Sequence, residues 1–101
     1  MKDNIHRETH GMCYSREYGA WHAMKQRCYN YNNSNYNYYG GRGIIVCDRW
    51  RYSFENFIED MERKPSLDHS LDRINNDGNY EPENCRWATL SEQNSNRRRL
   101  V

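Results

Sequence analysis

A chain of 101 residues has room for one small domain, and a hydrophobic fraction of 36% with a mean hydropathy of −1.31 allows only a thin core. Fifteen Lys and Arg against fourteen Asp and Glu leave a formal charge of +1, which excludes a uniformly basic glove for nucleic acid and an acidic mimic of it, so any nucleic-acid face must be local. No apolar run approaches membrane-spanning length and the start, Met1-Lys2-Asp3-Asn4-Ile5, has no signal-peptide core; the expectation is an intracellular protein with no membrane partner.

Residues 1–14 carry no period and read as an arm. A helix follows, with Ser15 as N-cap, Glu17 in the first turn, and Tyr18, Trp21, Met24 and Cys28 at a spacing of three to four residues on one apolar face. His22 and Arg27 fall off that stripe and read as solvated. The stretch Tyr29–Tyr39 is too rich in Asn for a regular helix and runs into the turn formers Gly40-Gly41, so it reads as a loop. Its tyrosines either stack on bases or fold back on their own domain. Gly40-Gly41-Arg42-Gly43 lacks the Lys-Ser/Thr of a P-loop.

Ile44-Ile45-Val46-Cys47 is a short β-branched run, and Asp48 then caps a second helix in which Trp50, Phe54, Phe57, Ile58 and Met61 keep the helical period up to Pro65. Glu55, Glu59, Asp60 and Glu62 form its solvated acidic side. Beyond it, Ser70–Ile74 and Cys85–Thr89 read as two strands around a turn-rich Asn75–Asn79, and Ser91 opens a last helix ending in Arg97-Arg98-Arg99. The order is β-β-α.

Cys13, Cys28, Cys47 and Cys85 contain no C-x-x-C knuckle, and an intracellular setting disfavours disulfides. Two uses remain open. A scattered set of Cys28, Cys47 and Cys85 with His10 would hold a structural Zn²⁺ and stabilise the thin core, or the cysteines serve as small apolar fillers.

A β-β-α unit with an Asp ending one strand and amides on the trailing helix can hold a hard cation, since Mg²⁺ keeps most of its waters and needs few protein oxygens. Asp72 is the anionic candidate, Gln93 or Asn94 the amide one. The segment Leu71-Asp72-Arg73-Ile74-Asn75-Asn76-Asp77-Gly78-Asn79-Tyr80-Glu81-Pro82-Glu83-Asn84-Cys85-Arg86-Trp87-Ala88-Thr89, continuing into Glu92-Gln93-Asn94, resembles the catalytic motif of HNH (ββα-metal) endonucleases, in particular the small homing type encoded by phages. Residues 70–97 carry the resemblance. It implies an α+β fold in which two helices pack around a C-terminal ββα-metal unit, with 1–101 as one domain, 15–65 as helical support and 66–99 as the motif.

The resemblance also implies a Mg²⁺- or Mn²⁺-dependent DNA endonuclease or nickase. Asp72 matches the metal-binding Asp, Asn84 the structural Asn, and Gln93, with Asn94 beside it, the helix ligand. Position 73 departs from the pattern: Arg73 stands where the family has a His, and an arginine stays protonated. Some HNH restriction enzymes are similar in carrying Asp-Arg, with a loop tyrosine in the role of the His, and Tyr80 sits where that tyrosine would. Arg73 would then clamp the phosphate. His69 is a further base candidate, although strand alternation turns it away from Asp72. Arg42, Arg86, Arg97, Arg98 and Arg99 are the candidate phosphate contacts, and cutting both strands would need a homodimer. The competing expectation is a catalytically silent HNH-like module that binds nucleic acid or a host protein. On that expectation Tyr80 packs over the hairpin and Arg73 pairs with Asp77 or Glu81.

Overall fold

The computed structural model describes residues 14–99, with side chains through Ser95; all of the expected arm at 1–14 except Tyr14, and so His10 and Cys13, lies outside them. Helix α1 spans Ser15–Tyr29 and buries Glu17, Trp21, Met24 and Cys28. That stripe runs one residue earlier than the apolar pattern indicates. Tyr18 is 47% exposed but still lays its ring against Trp21 and Phe54, with centroids 5.2 and 5.1 Å away. Ser15 is the first helical residue and not the cap; Tyr14 holds the cap position without a side-chain bond.

The expected single second helix is two. Helix α2, Asp48–Arg51, and helix α3, Phe54–Met61, are separated by Tyr52 and Ser53. The break has a local cause, because Ser53 accepts a hydrogen bond from Asn56 N at 3.1 Å and caps α3. Asp48 lies inside the first turn of α2, where its carboxylate favours the helix dipole, and Cys47 occupies the cap position. Trp50 and Phe57 are fully buried, their rings edge-to-face at 5.0 Å, and the Trp21 indole donates to Trp50 O at 2.7 Å.

Helix α3 ends at Met61, before Pro65 can act, on Glu62 with φ 61. The Trp87 indole donates to the carbonyls of Met61 and Glu62 at 2.9 and 3.1 Å, and Glu17 accepts from Lys64 N at 2.9 Å. These bonds hold the exit from α3 and give buried Glu17 its purpose. The acidic side of α3 is not wholly solvated either. Arg49 pairs with Asp60 at 2.7 Å and with Glu59 at 3.1 Å, and the Trp50 indole donates to Asp60 at 2.7 Å. The Arg49 bond is the main cause that lowers the Asp60 carboxyl below its ordinary range.

Strands β1, His69–Arg73, and β2, Cys85–Thr89, form an antiparallel pair with His69 opposite Thr89 and Arg73 opposite Cys85. Ile74 leaves the strand but donates its N–H to Asn84 O at 2.8 Å. Helix α4, Leu90–Arg99, follows without a linker and packs on both strands. Its start is a capping box: Thr89 Oγ1 accepts from Glu92 N at 3.2 Å and Glu92 accepts from Thr89 N at 2.8 Å. Thr89, not Ser91, opens the helix.

The run Ile44–Cys47 does not become a strand; Val46 alone bridges Tyr80 in parallel. Tyr80 N donates to Ile45 O and Cys47 N donates to Tyr80 O, each at 2.9 Å. Part of the Tyr/Asn-rich loop coils into short 3-10 turns, Tyr36–Tyr38 and Gly40–Arg42. Gly40 is obligatory, since a Cβ there would run into the backbone carbonyl of Cys28. The molecule is therefore α+β, a two-stranded hairpin with helices around it. Among the described residues no helix is long and apolar enough to cross a membrane.

Candidate functional site

A cleft of about 500 Å³ opens where the hairpin, α4 and the Tyr/Asn-rich loop meet. β1 contributes Asp72 and Arg73, α4 contributes Gln93, and the loops contribute Tyr39, Arg42 and Tyr80. Asp72 faces Arg86 across the strand pair; its side chain is 12% exposed, and its Oδ2 accepts from Arg86 Nε at 3.1 Å. Gln93 donates its amide to Ala88 O at 3.0 Å and to Ser70 Oγ at 2.9 Å. A carbonyl needs a donor, so the Ala88 bond assigns the nitrogen and leaves the Gln93 carbonyl oxygen available. Asp72 and Gln93 thus line one cavity. Asn94 lies about 100° further around the helix, is exposed and is not among the residues lining the cleft.

The wall behind them is a stack of cations and rings. Tyr39 and Tyr80 are stacked at 6.2 Å. The Arg73 guanidinium lies 4.9 Å from the Tyr39 ring centre and 5.2 Å from that of Tyr80, and Arg27 lies 5.0 and 5.6 Å from the same two. Arg73 does not pair with Asp77 or Glu81 as the competing expectation had it. It donates to the carbonyls of Asn76 and Gly78 at 2.7 and 2.9 Å, and Asp77 instead pairs with Arg42. Arg27, read as solvated, donates to the Tyr80 hydroxyl oxygen at 3.0 and 3.3 Å.

This arrangement disfavours Tyr80 as a general base. Its side chain is 2% exposed, and burial pushes the phenol up to about 12 despite the opposing Arg27 charge. At neutral pH it is a protonated, packed ring whose backbone is pinned to Ile45 and Cys47. His69 begins β1, engages Ser66 at 2.9 Å and does not line the cleft. Asn84 laces the intervening loop: it accepts from Asn75 N at 2.8 Å and donates to Asn75 O and Asn79 O at 3.1 and 2.9 Å. Arg42 and Arg86 stand at the cleft in ion pairs with Asp77 and Asp72. The side chains of Arg97, Arg98 and Arg99 lie outside the described ones.

The expected zinc set does not assemble. Among the described residues no three of His, Cys, Asp and Glu come together as a metal site, so Cys28, Cys47 and Cys85 do not form one cluster, and His10 lies outside the described residues. Burial raises the Cys28 thiol to about 11 and the Cys85 thiol to about 12, as for apolar fillers. Zinc would demand the thiolate. A hard cation is a different test. Asp72 and Gln93 both line the cleft, and a carboxylate and an amide oxygen are the donor types that a hard cation takes.

The loop residues Tyr38 and Tyr39 and the supporting Arg27 are absent from the sequence-based site. The one available signal was Tyr39 standing before the Gly pair. Comparison with family models, with curated proteins and with solved structures finds no match.

Proposed function

We propose that the protein is a metal-dependent endonuclease or nickase of HNH-like type acting on DNA. The observation that carries this reading is that the Asp72 carboxylate on β1 and the Gln93 carboxamide on α4 line one cleft beside guanidinium groups. In it Asp72 and Gln93 would hold Mg²⁺ or Mn²⁺, which when bound would supply a Lewis acid for the phosphodiester. Arg86 orients Asp72 through the 3.1 Å bond. Arg42, in an exposed pair with Asp77, can exchange that partner for a phosphate at small cost. Arg73 gives the cleft wall a permanent positive charge, and Tyr80 supports it as a ring.

The test is nicking of supercoiled plasmid with Mg²⁺, with Mn²⁺ and with EDTA. The expected result is metal-dependent relaxation that Asp72→Ala slows by about 100-fold or more. An Asp72→Ala protein that nicks as fast as the wild type overturns the reading.

A second reading, a silent module that binds nucleic acid or a host protein, is favoured by the buried, Arg27-bound phenol, because no side chain in the cleft then replaces the missing His. Tight nucleic-acid or protein binding in EDTA, with no nicking under any divalent metal, would select it.

A further inference from the structure

We propose a second nucleic-acid contact, separate from the Asp72 cleft: the groove between the end of α1 and the α2–α3 junction binds a single strand, taking a phosphate on Lys25 and Arg51 and a base on Tyr52. The groove has a volume of about 370 Å³ and is lined by Lys25, Gln26, Tyr29, Asn30, Arg51 and Tyr52, within the range of small-ligand pockets. No carboxylate lines it. Its charged groups are two cations, and its largest apolar surfaces are tyrosine rings, Tyr29 36% and Tyr52 74% exposed.

Arg51 is the most informative of these. Its guanidinium lies 4.0 Å from the Tyr29 ring centre and 5.1 Å from that of Tyr52. The group thus lies against two rings. Arg27, Arg42, Arg49, Arg73 and Arg86 all donate guanidinium N–H groups to protein oxygens. Arg51 donates none to the described residues and forms no ion pair with them. A guanidinium that rests against rings and has its donors uncommitted among the described residues can bind a planar or tetrahedral oxyanion in bidentate fashion.

The neighbours complete the site. Lys25 is held the same way, its ammonium 3.9 Å from the Trp21 ring centre and without an ion pair among the described residues. Tyr29 is a fixed floor, since its hydroxyl accepts from Val46 N at 3.0 Å. Tyr52 projects from the two-residue break between α2 and α3, which gives the break a use. Two cations with open donors beside an exposed ring match the alternation of phosphate and base along a single strand, where the faces of bases are accessible. An acidic peptide would satisfy the cations and leave the ring without a planar partner. In a duplex the bases are already stacked.

The experiment measures anisotropy of a short labelled oligothymidine with the full chain, in EDTA so that no cleavage enters. Tyr52→Ala is expected to weaken binding about 5- to 150-fold, the span of one lost base–aromatic stack. Lys25→Gln is expected to reduce the slope of log affinity against log salt by about 0.7, one phosphate contact on a single strand. Both side chains lie at the surface of the groove, and circular dichroism confirms that the variants fold. Cleavage is read in the separate plasmid assay with metal present and strand binding here in EDTA, so failure of the cleavage reading and failure of this one are separately visible. The proposal is overturned if the wild type does not bind, or if both variants keep its affinity and salt slope. It is equally overturned if Asp72→Ala loses binding that Tyr52→Ala retains, which places the strand in the other cleft. The acidic-peptide alternative wins, and the proposal falls, if polyglutamate binds as tightly as the oligothymidine and loses affinity on Lys25→Gln but not on Tyr52→Ala.

Discussion

Raising the pH from 8 to 10 under reducing conditions should sharply destabilise this protein. Burial lifts the thiol of Cys28 from an ordinary 9.0 to about 11, that of Cys85 from 9.0 to about 12, and the phenol of Tyr80 from 10.0 to about 12. In each case the fold prefers the neutral form. Above the ordinary value the unfolded chain gives up its proton while the native one keeps it, so native stability is fully present below pH 9 and is lost as pH climbs towards 11 and 12. At pH 10 each thiol accounts for roughly 1–2 kcal/mol and the phenol for a fraction of one, together about 3 kcal/mol. That is a large part of the roughly 5–15 kcal/mol available to a small domain. In urea, where slopes are about 1–3 kcal/mol per molar, the unfolding midpoint should fall by about 1–3 M between pH 8 and 10. Cys28→Ala should remove nearly half of the pH dependence, whatever it does to stability at pH 8. A midpoint that stays flat over this range would refute the reasoning, because it would mean that the fold does not favour the neutral thiols and phenol; a midpoint that rises would mean that the thiols are already deprotonated in the fold, as zinc ligation requires.

Glu62→Gly should stabilise the protein by about 1 kcal/mol in urea denaturation. Glu62 has φ 61 and ψ −173, a region costing a non-glycine residue roughly 1–3 kcal/mol, and that gain exceeds the added entropy of the unfolded chain; a loss of stability would contradict it. Arg73→His, which restores the HNH residue, should cost about 3 kcal/mol, since a shorter ring leaves the carbonyls of Asn76 and Gly78 without their charged donor. Thermal melting checks this, and a variant as stable as the wild type would remove Arg73 from its supporting role.

Much of the architecture was legible because it rests on local pattern. Trp21, Met24 and Cys28 repeat at helical spacing, and the polar Asn75–Asn79 between two short runs marks the turn of a hairpin. The hairpin followed by a helix brings Asp72 and Gln93 to one cavity by topology alone. What escaped was set by partners distant in sequence. Glu17 looks like a solvated first-turn acid until the Lys64 N–H arrives from 47 residues away. Arg27 looks like a surface cation until Tyr80 comes within 3.0 Å of it. The break at Tyr52-Ser53 was local, by contrast, and a serine three residues before Asn56 was a readable cap inside an apolar period strong enough to mask it. The Thr89-x-x-Glu92 box was equally readable.

Arg73 explains why the loop between the strands holds its shape although it is almost entirely polar. A buried guanidinium is costly unless its donors and faces are satisfied, and no carboxylate is bonded to this one among the described residues. Two loop carbonyls take its donors and two tyrosine rings lie beside it. From the opposite end of the hairpin Asn84 ties Asn75 to Asn79, and Asn79 then accepts from Ile45 N at 3.0 Å. The loop is therefore clamped at both strand ends and docked onto the segment that carries Val46. Tyr80 cannot leave its place without releasing Arg27, Arg73 and the Val46 bridge together. A residue so bound cannot cycle a proton during turnover. On the proposed reading the chemistry of the cleft falls to Asp72 and Gln93, with the Arg73 guanidinium as a wall beside them.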